Sequence, residues 1–156
     1  MERLLKMVNK ELKIYLAGKM SGLSLNEMTK WRKLFKTGLT KYGELKGCNV
    51  EVISPVDYYN FEEKKKHQNE MEVMKFDLSL MKKSDIVIAN LQDINTSIGT
   101  CIEVYEAWRI GIPVIGYGYG GSEVYGEIHP WIANCLTRIE KSDKDTCQYI
   151  ADFYMK

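Results

Sequence analysis

Leu12-Lys13-Ile14-Tyr15-Leu16-Ala17, closed by Gly18, is a short apolar run ending at a turn residue. Such a run reads as a strand buried on both faces, the pattern of a parallel sheet covered by helices. The chain beyond it repeats the alternation that such a sheet requires. From Ser24 to about Tyr42 the apolar positions Leu25, Met28, Trp31, Leu34, Phe35 and Leu39 fall near helical spacing, with Ser24 as the N-cap and Glu27 three residues on. Val50 to Ile53 reads as a second strand, stopped by Ser54-Pro55 because proline cannot donate to a ladder. Residues 57–67 show no clean period and read as a loop or lid. Met71, Met74, Leu78 and Met81 trace one face of a helix over roughly 68–83, and Asp85 to Asn90 is a third strand. A helix from about Gly99 to Ile110, closed by Gly111 and Pro113, leads to a fourth strand from Ile112 to Tyr117. A Gly/Tyr-rich loop over 118–127, a fifth strand within Ala133 to Ile139 and a C-terminal helix complete the pattern. Strands alternating with helices predict an α/β domain with a parallel sheet.

Composition bounds the function. At 156 residues the chain has the size of one domain, with residues 1–11 as an N-terminal extension. No stretch approaches the run of about 18 apolar residues that a membrane span needs. Met1 to Lys13 lacks the continuous apolar core of a signal peptide. Cys48, Cys101, Cys135 and Cys147 are dispersed and form no CxxC pair, which points to a reducing, cytoplasmic setting. Twenty-two Lys and Arg against 21 Asp and Glu give a net charge of +1, so no global field draws nucleic acid or an anionic membrane. Any anion is to be bound locally.

In an open α/β sheet, ligands gather outside the carboxyl ends of the strands. After the first strand comes Gly18-Lys19-Met20-Ser21-Gly22, which offers backbone freedom, an ammonium and a hydroxyl to a phosphate or ribose. It matches neither GxxxxGK[ST] nor GxGxxG, which argues against a P-loop and a standard dinucleotide site. After the third strand, Asn95-Thr96-Ser97-Ile98-Gly99-Thr100 places hydroxyls and a glycine at a helix N-terminus, where unpaired N–H groups favour an anion. Glu103 stands one turn further on. Its spacing from Thr100 is also that of a capping box, which leaves a cap and a catalyst evenly balanced.

Asp77 bears on that balance, because it flanks the apolar stripe of its helix, where a charge needs a reason. Its bland reading is a boundary residue bonded to a neighbouring group or facing water. Paired with Glu103, it gives the two carboxylates that glycosyl transfer uses. Tyr15 reaches the same edge of the sheet and can orient a carboxylate, although most strand tyrosines simply pack. His67 and His129 have no recognisable metal-ligand spacing, so neither a catalytic metal nor a cofactor is expected.

Ile14-Tyr15-Leu16-Ala17-Gly18, Asp77-Leu78 before Ser84-Asp85-Ile86-Val87-Ile88-Ala89, Ser97-Ile98-Gly99-Thr100 with Glu103, and Gly111-Ile112-Pro113-Val114 together resemble the nucleoside 2-deoxyribosyltransferase superfamily, from about residue 13 to 132. The resemblance implies a flavodoxin-like, Rossmann-like three-layer sandwich with a five-stranded parallel sheet, assembled at least as a homodimer. It implies cleavage of the N-glycosidic bond of a nucleoside or nucleotide: Glu103 as nucleophile at C1′, Asp77 assisting base departure, Tyr15 positioning the glutamate.

Position 97 is the branch point of the resemblance. The transferases carry aspartate there and the nucleotide N-hydrolases serine; here it is Ser97. A hydroxyl removes repulsion against a dianionic phosphate, and Lys19 adds attraction, so a (deoxy)nucleoside 5′-monophosphate is the expected substrate. Gly18, Lys19, Ser21, Ser97, Gly99 and Thr100 are the expected substrate-binding positions. Lys19 and Ser21 depart from the monophosphate hydrolases, which carry serine and arginine there. His129-Pro130-Trp131 matches the segment by which a neighbouring subunit completes the family's pocket, which assigns His129 to the substrate's 5′ end across a dimer interface. A base-exchanging transferase and a non-catalytic nucleotide sensor are the competing readings, and Tyr117, Tyr119 and Tyr125 suit base stacking in any of them.

Overall fold

The computed structural model describes residues 10–58, 69–118 and 127–156. The expectations for residues 1–9, for the 59–67 part of the lid with His67, and for Tyr119 and Tyr125 lie outside the described residues.

Strand β1 (Lys10–Ala17) is followed by helix α1 (Leu25–Lys46), β2 (Cys48–Ile53), α2 (Glu70–Lys82), β3 (Ile86–Asn90), α3 (Ile98–Arg109), β4 (Val114–Tyr117), the short α4 (Pro130–Ala133), β5 (Arg138–Glu140) and α5 (Asp143–Tyr154). The strands form one sheet in the order β2-β1-β3-β4-β5, and every pairing is parallel. The order reverses between β1 and β3, which leaves a crevice at their carboxyl ends.

β1 shows why the opening run decides the fold. Ile14, Tyr15, Leu16 and Ala17 are all essentially inaccessible. Strand alternation sends Tyr15 and Ala17 into one core cluster, with Met81, Val104 and Ala107 of α2 and α3, and sends Ile14 and Leu16 into the other, with Phe35 and Leu39 of α1 and Ile150 of α5. Helices therefore cover both faces, giving three layers. Helix α1 begins where its sequence says, the Ser24 side chain accepting from the Glu27 N–H at 3.1 Å, and it stops at Gly47 in the left-handed conformation.

Three local readings are corrected. Residues 55–58, at the start of the expected lid, form a 3₁₀ turn. Ala133 is helical rather than the start of β5: Pro130 opens α4 at its first turn, and β5 contains only Arg138 to Glu140. The methionine stripe of α2 is only partly core. Met81 is inaccessible, whereas Met71 and Met74 are 65% and 49% exposed, Met74 facing a cavity rather than the core.

Candidate active site

Tyr15 points from β1 toward α3 and is completely buried, and its hydroxyl donates to the Glu103 carboxylate at Oε2. Helix α3 sets the other half of that contact. Ser97 is its N-cap, and the first intrahelical bond runs from the Cys101 N–H to the Ser97 carbonyl at 3.0 Å. Thr100 is thus inside the first turn and 2% exposed, so the capping-box reading fails: Thr100 is not the cap, and the glutamate is held by Tyr15.

A cavity of about 490 Å³ opens beside Glu103. Gly18, Lys19 and Ser21 line it from the loop after β1, Asp77 from α2, and Ser97, Gly99, Thr100 and Glu103 from α3. Residues scattered over more than eighty positions therefore share one wall, together with Glu70, Met74 and Leu78 of α2. The exposed Met74 of α2 is part of this wall. His129 is not among its lining residues; it is exposed and caps α4, its Nδ1 accepting from the Trp131 N–H at 3.3 Å.

The electrostatics single out Glu103. Its pKa is pushed from 4.5 up to about 7, first by burial and then by repulsion from Asp77, against the lowering effects of the Tyr15 hydrogen bond and the Arg32 charge. A carboxyl near 7 is poised between protonated and ionised forms at neutral pH. Beside it the Ser97 and Thr100 hydroxyls are hydrogen-bonded at 2.7 Å. Two hydroxyls carry two protons and consume one between them, so the pair retains a donor for a ligand.

Two features escaped the sequence reading. Gly18 is needed for packing as well as for the cavity wall: a Cβ there meets the Trp31 ring at 2.5 Å. Arg32 is buried beneath the same loop, donating to the Gly18 carbonyl at 3.2 Å and to the Met28 carbonyl at 2.6 Å. Its signal was present, since position 32 falls four after Met28 and three before Phe35, on the apolar stripe of α1.

Comparison with known proteins bears on both fold and family. The family model described as nucleoside 2-deoxyribosyltransferase matches residues 14–136. No curated protein sequence matches the chain. A conserved protein from Enterococcus faecalis V583 superposes with a TM-score of 0.70 at 18% identity, over 91% of this chain and 98% of that one. A 2-deoxyribosyltransferase from Bacillus psychrosaccharolyticus gives a TM-score of 0.63 at 23% identity, over 88% of this chain and 91% of its own. A CMP N-glycosidase from Clostridium botulinum gives 0.47 at 20% identity, over 91% and 98%. The first two likenesses establish the fold.

Proposed function

The chain belongs to the nucleoside 2-deoxyribosyltransferase family, a family of enzymes acting on nucleosides, and on that footing we propose that it hydrolyses the N-glycosidic bond of a (deoxy)nucleoside 5′-monophosphate, with Glu103 as nucleophile. The observation that carries the reading is the Tyr15–Glu103 hydrogen bond at the wall of a cavity that Asp77 also lines.

In the first step an ionised Glu103 oxygen attacks C1′ of the sugar while the bond from C1′ to the base nitrogen breaks, and the electron pair leaves with the base. Asp77 delivers or directs the proton that the departing base needs. Tyr15 fixes the attacking carboxylate and keeps its negative charge in place before the attack. In the second step water attacks C1′ while its proton passes to Asp77, the ester to Glu103 breaks, and the carboxylate is restored. The phosphate is assigned to Lys19, Ser21, the Ser97–Thr100 hydroxyl pair and the N–H groups at the start of α3, which present positive potential to an anion. Ser97 adds no charge that would oppose it.

The same intermediate yields base exchange when a second base, rather than water, attacks C1′, and the family description favours that second reading. One incubation separates them: a deoxynucleoside or its 5′-monophosphate is mixed with a different free base, and products are resolved by chromatography. Hydrolysis leaves free base and free sugar or sugar phosphate; exchange leaves a new nucleoside or nucleotide. Binding without either product supports a sensor.

A homodimer is part of the proposal. Ile98, Ile102, Tyr105 and Trp108 of α3 are 76%, 38%, 50% and 53% exposed, and Met74 of α2 lines the cavity with Ile98 and Ile102, giving an apolar face next to the cavity mouth. Such a face marks an interaction site. A partner's His129 reaching the 5′ end of the substrate belongs to this reading, and a monomeric mass with full activity would rule it out.

A further inference from the structure

Arg32 is the charged group that the mechanism above leaves unused. It is 3% exposed, its guanidinium carbon lies 4.4 Å from the centre of the Trp31 ring, and its Nε has no hydrogen-bond partner. No carboxylate among the described residues lies within ion-pair distance of it. Burying a cation without such a partner costs several kcal/mol, and a methionine would fill the same space without that cost. The two hydrogen bonds it does make, to the carbonyls of Met28 and Gly18, tie α1 to the end of β1 where the cavity begins.

We propose that Arg32 is a positioning residue for the chemistry at Glu103: its hydrogen bonds fix the Gly18 end of the cavity loop, and its permanent positive charge, buried beneath that loop, favours the ionised, attacking form of Glu103. The inference rests on the reading of Glu103 as nucleophile. The groups acting on Glu103 are Tyr15 from β1, Asp77 from α2 and Arg32 from α1, with Lys19 and Glu70 also on the cavity wall. Those acting on Arg32 are Glu103, Tyr15, Tyr117 of β4 and Asp57 of the 3₁₀ turn. Asp57 is exposed and 3.8 Å from Lys36, and burial pushes the Tyr117 hydroxyl far above its usual range, so it stays neutral. Arg32 is therefore, among the described residues, a buried cation whose charge opposes the repulsion from Asp77. Burial lowers its own pKa only to about 10, so its charge is constant over the range in which Glu103 titrates.

The test compares Arg32→Lys, which keeps charge and a donor, with Arg32→Gln, which keeps a donor and loses the charge. Two readouts are taken across neutral pH: the profile of kcat/KM and the titration of the Glu103 carboxyl carbon by NMR. Arg32→Gln is expected to move both the acidic limb and the titration upward by about half a pH unit, roughly a threefold loss of rate on the acidic side, while Arg32→Lys keeps both near the wild-type position. Where Arg32→Gln does not fold, Arg32→Met serves as the neutral variant. Identical midpoints in the neutral and the lysine variants overturn the proposal. Glu103→Gln is the control: full turnover by that variant removes the nucleophile reading, while the NMR titration still reports whether Arg32 governs the carboxyl.

Discussion

The Tyr15 hydroxyl and the Glu103 carboxylate, 88 positions apart in the chain, are hydrogen-bonded where β1 meets α3. That bond connects a strand whose Ile14–Ala17 segment is fully buried to a helix that starts at the cavity, so the carboxylate is held by the core rather than by a loop. Tyr15→Phe keeps the ring packing and removes only the donor. Because this hydrogen bond lowers the Glu103 pKa, its loss raises it, and the acidic limb of kcat/KM moves to higher pH. A fall of about tenfold or more at neutral pH is expected, and a pH–rate profile of the variant measures it. An unshifted limb would show that the bond does not act on the carboxylate.

The raised Glu103 pKa also has a cost in stability. The folded form holds this proton up to about 7, whereas an ordinary carboxyl releases it near 4.5, so between these values the folded state binds more protons than the unfolded one. Stability contributed by this group is therefore present at low pH and declines as pH rises through that window. Glu103→Gln removes the penalty. Its melting temperature is expected to exceed the wild-type value at about pH 8, with the difference shrinking toward about pH 5. Thermal melts at the two pH values check this, and an equal difference at both contradicts it.

Ser97→Asp tests the choice of substrate. Ser97 is 8% exposed and lines the cavity, so a carboxylate there is poorly screened from a bound phosphate. The ratio of kcat/KM for a nucleoside 5′-monophosphate to that for the nucleoside is expected to fall about tenfold or more, with the change concentrated in the phosphorylated substrate. An unchanged ratio places the phosphate elsewhere.

Gly18→Ala tests the packing beneath the cavity. The new Cβ meets Trp31 at 2.5 Å and the Asn90 Cβ at 3.3 Å, so the ring or the strand end must shift. A loss of about 1–3 kcal/mol in urea unfolding is expected. A neutral substitution would mean that Trp31 moves away freely, and then the loop it supports is not rigid.

How much of this was legible in the sequence follows the range of the interactions. β1, α1 with its Ser24 cap, β3 and α3 are set by local periodicity and capping, and each appears within a few residues of its pattern, β1 starting at Lys10, inside the expected N-terminal extension. β5 is three residues long, and the neighbouring apolar residues Ile132 and Ala133 belong to a helix begun by Pro130; a strand that short has too little period to read. The site was legible as a set of types, but spacing along the chain could not show that Tyr15 touches Glu103, since that contact depends on sheet order and on which face of β1 the ring takes. The capping-box reading of Glu103 falls because α3 starts one residue earlier than its pattern indicated, with Ser97 as its cap. Arg32 carried a local signal, a charge on an apolar stripe, but its significance depends on the Gly18 carbonyl, fourteen positions away.

The most direct measurement is base release from a panel of nucleosides and nucleoside 5′-monophosphates by the wild-type protein and by Glu103→Gln, each confirmed to be folded. The expected result is free base from at least one 5′-monophosphate with the wild-type protein and a loss of more than about a thousandfold in the variant. Equal release by the two proteins, or no cleavage of any member of the panel, would contradict the assignment of Glu103 as the nucleophile of an N-glycosidase.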